Sequence, residues 1–281
     1  MHFDKVGFIG LGLIGGSIAR KMKENNPKVS IIATAGHQQT IEDAFGLGLI
    51  DNNELLELNS FKDCDVIFLC APVNKNIEYL TQLKDIIKDD CIITDVGSTK
   101  TQIHEKVIEL GLERNFIGGH PMTGSEKTGI LNSDKQLLEN AYYIITPTAA
   151  TTEENQNDFK QFVLSLGSIA LILDYREHDH ATAAISHLPH MIAYSLVNLI
   201  EHIDSEKETM KTIAAGGFRD VTRIAASSPV MWENICESNK NQLLSLMDQY
   251  EANFHKLREI IAEGSSQKML SLIHISEPTR R

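Results

Sequence analysis

The length, composition and net charge of the chain exclude several classes of protein. Its 281 residues are 42% hydrophobic and 23% charged, which suits two globular domains and excludes disordered, collagen-like and coiled-coil compositions. The formal net charge of -12 disfavours nonspecific binding to nucleic acid or to an anionic membrane, and an anionic ligand would need cations placed locally.

Cysteine usage and the N-terminal sequence predict the compartment. Cys64, Cys70, Cys91 and Cys236 form no CxxC pair and have no metal-ligand spacing. The chain enters a predicted strand almost at once, without the charged and apolar segments of a secretory signal, so we expect reduced thiols in a cytoplasmic protein. No segment approaches the ~18 uninterrupted apolar residues of a spanning helix, so we expect no membrane partner.

In the first half of the chain, short apolar runs alternate with amphipathic stretches. Strands are predicted at residues 6–9, 29–33, 66–70, 91–94, 115–118, 142–146 and 170–173. Helices are predicted between them at about residues 14–24, 39–47, 77–87, 100–110 and 153–166. Continuous apolar strands alternating with helices are typical of a mostly parallel sheet covered on both faces.

The second half changes character and predicts a separate helical domain. We find no strand pattern between about residues 179 and 263, where helices are predicted at 181–203, 206–214 and 229–263. The predicted fold is therefore an α/β, Rossmann-type doubly wound domain at residues 1–174, followed by an all-α domain at 175–269. The end of the chain, LSLIHISEPTR, resembles a translated sequencing adapter. Residues 270–281 are predicted to be a non-native tail, the alternative being an ordinary terminal segment.

A glycine-rich turn with GxGxxG spacing follows the first predicted strand and opens a helix. Gly10 permits the tight turn, Gly12 lets the backbone approach a pyrophosphate, and Gly15 lets the helix pack against the strand. This context predicts a dinucleotide site, the alternative being a turn without a ligand. The predicted cofactor contacts are Gly10, Leu11, Gly12, Leu13, Ile14 and Gly15, with Thr34, Ala71 and Pro72 at the ends of the next strands.

The end of the second strand leaves the identity of the cofactor open. An Asp or Glu is expected there to hold the ribose 2′-hydroxyl of NAD, but residues 33–37 read ATAGH. Without a carboxylate, nothing repels a 2′-phosphate, and Thr34 and His37 are able to hydrogen-bond one. There is also no Arg, the usual phosphate clamp. We expect NAD, with NADP as the alternative.

Three segments carry polar residues that suggest chemistry. DVGSTK at residues 95–100 lies at the end of a predicted strand, where open α/β sheets bind ligands, although Ser98 is equally consistent with a helix cap. GGHPMTGSEKTG at 118–129 is a glycine-rich loop. The third segment has two parts, SHLPH at 186–190 and GGFRDVTRIAASSPVMW at 216–232. With GLGLIGGS and the extended EHDHATAAISHLPH, these motifs resemble the prephenate dehydrogenase family over about residues 5–263.

The resemblance implies an activity and a set of site residues. Members carry out NAD(P)-dependent oxidative decarboxylation of prephenate to 4-hydroxyphenylpyruvate in tyrosine biosynthesis. By resemblance, His120 accepts a hydrogen bond or the proton from the C4 hydroxyl of the substrate, and Ser98 contacts the same hydroxyl; neutral imidazole suits that role. The implied substrate-binding residues are Arg223 at the carboxylate, His190, Ser125, Glu126, Gly217, and Trp232, whose family position approaches the partner subunit's site.

The family also implies a homodimer formed through the helical domain. Apolar residues recur at helical intervals in this half and suggest more burial than a small domain needs, although an intradomain core is the alternative. These stripes are Ile185, Leu188, Ile192, Leu196 and Leu199, then Leu243, Leu246, Met247, Tyr250 and Phe254.

Competing interpretations remain for the function. Four histidines at 178, 180, 187 and 190 match no metal motif, so we expect no metal. The sequence leaves prephenate and arogenate as alternative substrates. A hydroxyacid dehydrogenase of another type would need a lysine base in the helix after the first domain, and none lies between residues 179 and 206. A non-catalytic dinucleotide sensor is the third possibility.

Overall fold

The chain folds into an α/β half followed by a helical half, as a computed structural model shows for residues 3–276. The strands of the first half are β1 Lys5–Ile9, β2 Ser30–Thr34, β3 Val66–Leu69, β4 Ile92–Asp95, β5 Ile117–Pro121, β6 Tyr142–Pro147 and β7 Ile169–Ile172. Its helices are α1 Leu13–Asn25, α2 Gln38–Gly46, α3 Val73–Leu83, α4 Thr101–Leu110 and α5 Glu153–Ser165. The predicted Rossmann-type architecture is confirmed.

The strands form two sheets with one antiparallel pair. β2, β1, β3 and β4 are parallel in that order, and β5–β6–β7 follow beside β4. The Ile93 N–H donates to the Asn115 carbonyl at 2.6 Å, which joins the two sheets. β5 and β6 are antiparallel, and the connection between them contains two short 3-10 turns rather than the helix that usually joins parallel strands.

The apolar strands are buried on both faces, as continuous hydrophobic runs predict. Phe8 stacks on Phe68 with ring centroids 4.9 Å apart in the core under α1 and α5. Ile67 and Ile93 belong to a second core under α3 and α4. The sheet is therefore a rigid platform, and the strand ends at residues 9, 69 and 95 meet at one edge.

The second half contains seven helices among the described residues. They are α6 Tyr175–Thr182, α7 Leu188–Ile203, α8 Thr209–Ile213, α9 Gly216–Thr222, α10 Pro229–Ser238, α11 Lys240–Glu263 and α12 Ser266–Ser276. A π-helical turn, Ala183–His187, joins α6 to α7 just before Pro189, which lacks the N–H that a regular helix would use. α12 includes part of the predicted tail, and residues 277–281 lie outside the described residues. The bounds of the three predicted ranges, 1–174, 175–269 and 270–281, stay predictions.

The predicted helix at 229–263 is interrupted at Asn239. Its backbone is non-helical, and its buried side chain donates to the Asp179 carbonyl at 2.8 Å and contacts His187 Nδ1 at 3.2 Å. The interruption therefore lets one amide fix α10 and α11 to the start of the helical half. A local hydrophobic pattern does not show such a contact.

One helical stretch among residues 3–276, Tyr175–Ile203, is long and apolar enough to cross a membrane by length and composition alone. That is weak evidence for a membrane span. Its apolar side chains include Ile185, which is 70% exposed, and Leu199, which is 52% exposed. The helix therefore presents an apolar face that the described part of the chain leaves uncovered.

Candidate active site

A cleft of about 530 Å³ lies between the sheet edge and α10. One end is formed by the first turn of α1 and the segment after β3. The other end is formed by the segment after β4, by His120 on β5, and by one face of α10. Along one side runs the glycine-rich segment at residues 123–129. The cleft therefore opens at the carboxyl ends of the parallel strands, where open α/β sheets bind ligands.

The glycine-rich turn has the shape that a pyrophosphate requires. Gly10 has φ of +87°, and a Cβ there would lie 2.6 Å from the Ala71 backbone nitrogen, so only glycine fits. A Cβ at Gly12 would meet only the Gly10 oxygen at 3.9 Å, so the backbone beside it is open. α1 has neither a side-chain cap nor an acidic residue in its first turn. Its N–H groups and its dipole are therefore available to an anion.

A chain of hydrogen bonds runs from the cleft into the helical half. His120 Nδ1 lies 2.8 Å from His178 Nε2, and His178 Nδ1 lies 2.8 Å from Asp179 Oδ1. The Asp179 carboxylate also accepts from the backbone N–H groups of Lys100 and Thr101, each at 2.7 Å. His178 and Asp179 are fully buried. We call His120, His178 and Asp179 the relay.

The direction of these hydrogen bonds assigns the tautomer of His120. Asp179 is a carboxylate that only accepts, so His178 must donate from Nδ1 and accept at Nε2. His120 must then donate from Nδ1, which leaves Nε2 as its basic nitrogen. A histidine fixed in this way is arranged to accept a proton from a ligand in the cleft.

Burial keeps the relay histidines neutral. The pKa of His120 lies well below its ordinary value because the ring is buried and because His178, Lys100 and His187 oppose a further positive charge. Burial also lowers the pKa of His178, and the hydrogen bond that His178 donates to Asp179 opposes this only in part. Burial alone would raise the pKa of Asp179, but hydrogen bonds from His178 and Thr101 outweigh it and lower the pKa.

A buried ion pair holds the strand that carries His120. The Lys100 ammonium donates to Asp95 Oδ2 and, at 2.7 Å, to the Gly119 carbonyl next to His120. Asp95 Oδ2 accepts the Gly97 N–H at 2.9 Å. Lys100 and Asp95 are fully buried, so removing either would leave an uncompensated charge. The pair fixes the segment that follows β4 to β5.

The structure brings only some of the predicted site residues to the cleft. Six predicted cofactor contacts line it, namely Gly12, Leu13, Ile14, Gly15, Ala71 and Pro72. Gly10 does not line it but donates to the Thr34 carbonyl at 2.9 Å, whereas the Leu11 side chain is buried in the core. Ser98, His120 and Ser125 are the predicted catalytic and substrate residues on its wall.

The remaining predicted substrate residues lie off the wall of this cleft. Arg223 Nη1 is 3.9 Å from Glu126 Oε1, and both side chains are largely exposed. His190 stacks on Trp232 with ring centroids 3.7 Å apart, and Trp232 is only 6% exposed. Gly217 lies exposed on α9. Their roles stay predictions.

Sequence reasoning missed several residues of the site. Asp179, Lys100 and the α10 residues Asn234 and Ser238 were not predicted, nor was Lys127, which lines the cleft. Asp179 is the last residue of the EHD triplet at 177–179, and Lys100 is the last residue of DVGSTK, so both motifs contained the signal. Within the described range, no group of three or more His, Cys, Asp or Glu residues is arranged to hold a metal ion.

Known proteins resemble the chain over nearly its whole length. Residues 18–171 match the family described as prephenate dehydrogenase, nucleotide-binding domain, and residues 174–275 match prephenate dehydrogenase, dimerization domain. Prephenate dehydrogenase of Bacillus subtilis (strain 168) is 35% identical over 268 residues, which cover 95% of this chain and 72% of the relative.

Solved structures agree with this assignment. Prephenate dehydrogenase from A. aeolicus, in complex with hydroxyphenyl propionate and NAD+, superposes with a TM-score of 0.92 at 28% identity, covering 100% of this chain and 98% of that one. Synechocystis arogenate dehydrogenase has a TM-score of 0.86 at 29% identity, with 98% of each chain covered. The chain belongs to the prephenate dehydrogenase family.

Proposed function

We propose that the chain is a prephenate dehydrogenase that converts prephenate to 4-hydroxyphenylpyruvate with NAD, in the cytoplasm. The observation that carries this proposal is the neutral His120, whose Nε2 is left basic by the relay at the wall of a dinucleotide-shaped cleft. NAD is favoured by the A. aeolicus complex, which contains NAD+. NADP is the alternative, because no carboxylate follows β2.

The residues of the cleft account for the proton chemistry. A dinucleotide held by the glycine-rich turn and the first turn of α1 would supply a nicotinamide as the acceptor for the hydride that leaves C4 of the substrate ring. His120 Nε2 accepts the proton of the C4 hydroxyl, and Ser98 contacts the same oxygen. The ring carboxylate leaves as carbon dioxide, and its electron pair completes the aromatic ring. The His178–Asp179 pair holds the proton of His120 on Nδ1 and so presents Nε2 to the substrate, much as a buried carboxylate fixes the tautomer in an Asp–His pair.

Substrate binding is assigned to the residues that the family resemblance implies. Arg223 binds a carboxylate of prephenate, which replaces its long contact with Glu126, and its planar guanidinium suits bidentate pairing. His190 and Trp232 form a stacked platform near this end, with Ser125 and Gly217 as further contacts.

The helical half forms a homodimer in this proposal. The second matched region is described as a dimerization domain. The π-helical turn, α7 and α11 expose large apolar side chains such as Ile185, Leu199, Phe254 and Ile261, which a second copy would cover. Light scattering at micromolar concentration should give twice the chain mass, and a monomer would contradict the proposal. The covered face also explains why Tyr175–Ile203 is apolar without a membrane.

A steady-state assay tests the activity directly. Absorbance at 340 nm should rise when prephenate and NAD are added, and 4-hydroxyphenylpyruvate should accumulate. Arogenate with either cofactor is the second arm, because the Synechocystis structure is an arogenate dehydrogenase. Preference for arogenate would replace the proposed substrate. If neither prephenate nor arogenate is turned over with NAD or with NADP, the proposed function is rejected.

A further inference from the structure

The cleft carries little positive charge for the ligands that the proposed function requires. A dinucleotide brings an anionic pyrophosphate, and prephenate brings two carboxylates. Among the described residues that line the cleft, Lys127 is the one with a formally charged side chain at neutral pH. His120 is neutral, and Arg223 lies outside the cleft beside Glu126. Lys127 is therefore the cation best placed for an anion within the cleft.

The part of the chain that the structure describes offers the Lys127 ammonium no partner. Its side chain is exposed, and no acceptor among residues 3–276 binds its ammonium; only its backbone N–H donates, to Ser125 Oγ at 3.1 Å. Lysines close by are engaged instead, since Lys21 and Lys135 both pair with Glu24. The Lys127 charge is thus free for a ligand.

The segment after Lys127 is fixed onto α1. Ile130 packs so closely on Gly16 that a Cβ there would lie 2.4 Å from Ile130 Cδ1. The Asp134 N–H donates to Ser17 Oγ at 3.0 Å. Because Ile130 is only three residues further along, at most ~11 Å of extended chain, Lys127 stays near the first turn of α1.

We infer that Lys127 binds the dinucleotide pyrophosphate from the side opposite the N-terminus of α1. This inference rests on the proposed function, because it requires a dinucleotide in the cleft. The amide groups and dipole of α1 approach the phosphates from one side, and the ammonium approaches them across the cleft. Both favour the same negative charge, and a charge-assisted contact of this kind is stronger than a neutral hydrogen bond. The proposed function assigns prephenate to Arg223, which lies outside the cleft.

Binding of ADP-ribose tests this role without any catalytic step. ADP-ribose contains the pyrophosphate but no nicotinamide, so calorimetry with the full chain reports on cofactor binding without any redox step, and the variants isolate the Lys127 contact. Lys127→Met should raise the Kd of ADP-ribose roughly fivefold to tenfold, as loss of one charge-assisted contact predicts. Lys127→Arg should bind within about twofold of the unaltered protein. The Kd of the unaltered protein should also rise more steeply with KCl than that of Lys127→Met.

A matched control and a second readout make the outcomes distinct. Lys135 lies in the same β5–β6 connection as Lys127, but it pairs with Glu24 and does not line the cleft. Lys135→Met should therefore leave the Kd of ADP-ribose unchanged. An unchanged ADP-ribose Kd in Lys127→Met would overturn the inference, whether or not the KM for prephenate rises. If the unaltered protein binds ADP-ribose but does not oxidise prephenate, the proposed function fails while the Lys127 result still stands. Absence of ADP-ribose binding would overturn both.

Discussion

At the scale of single residues, the basic nitrogen of His120 is set by Asp179, a carboxylate on the far side of His178. In Asp179, one carboxylate oxygen accepts from the N–H groups of Lys100 and His178, and the other accepts from Thr101. An Asn at this position has a single side-chain oxygen, so it cannot serve both sets of donors. If its oxygen satisfies Thr101, its amide group donates to His178 and reverses the relay, which protonates His120 Nε2. Asp179→Asn should therefore lower kcat about 100-fold or more, while the Kd of ADP-ribose changes little.

A second carboxylate near the start of α6 provides the control for this prediction. Asp174 accepts the N–H groups of Arg176 and Glu177 and contacts no histidine of the relay. Asp174→Asn should cost at most about 1 kcal/mol of unfolding free energy as a cap and leave kcat unchanged. Equal losses of kcat in the two variants would show that Asp179 acts only through folding.

The low pKa of His120 predicts where activity is lost in acid. His120 works as the neutral base, so activity is present above its pKa and falls as the pH drops through it. Burial lowers that pKa well below 6.5. The acid limb of kcat/KM should therefore lie below pH 6.5, and a profile measured from pH 4.5 to 9 checks it. An acid limb above pH 6.5 would contradict the neutral, desolvated environment described for His120.

At the scale of elements, the alternation of apolar strands and helices predicted the first half well. Each predicted strand and helix overlaps an observed one, because buried parallel strands leave a continuous apolar run in the sequence. The break at Asn239 and the relay were beyond local patterns. His120 and His178 are 58 positions apart and meet only after the two halves dock. Asn239 and Asp179 are 60 positions apart and meet only when the helical half folds. Family resemblance identified His120, but only the geometry explains its tautomer.

The Asn239 interruption should be important for stability. Asn239→Ala removes one of the donors to the Asp179 carbonyl, which still accepts from Ala183 and Thr182, and leaves the buried His187 Nδ1 without its donor. The free energy of unfolding should fall by about 1–3 kcal/mol, measured by urea denaturation. Asn241→Ala, at an exposed position two residues further on, should change it by less than about 0.5 kcal/mol. Similar values for the two variants would mean that the break in the helix is incidental.

At the scale of the whole molecule, several buried neutral histidines make the fold sensitive to acid. Burial lowers the pKa of His104 to about 3 and that of His187 to about 4, against an ordinary value near 6.5. Below pH 6.5, the unfolded chain therefore binds protons at these histidines that the folded chain does not bind. The stability contributed by each group is complete above pH 6.5 and falls as the pH drops, by up to about 1.4 kcal/mol per pH unit, until the folded pKa is reached.

The free energy of unfolding should consequently fall steeply between pH 6.5 and 4.5. His104→Gln should reduce that slope, because a residue that cannot titrate replaces one of the buried histidines, even though the loss of its contact with Thr146 lowers stability at pH 7. His255→Gln is the control, since His255 is largely exposed on α11 and should leave the slope unchanged. Urea denaturation at half-unit pH intervals measures both. Parallel curves for the original protein and His104→Gln would show that carboxylates, rather than these histidines, determine acid lability.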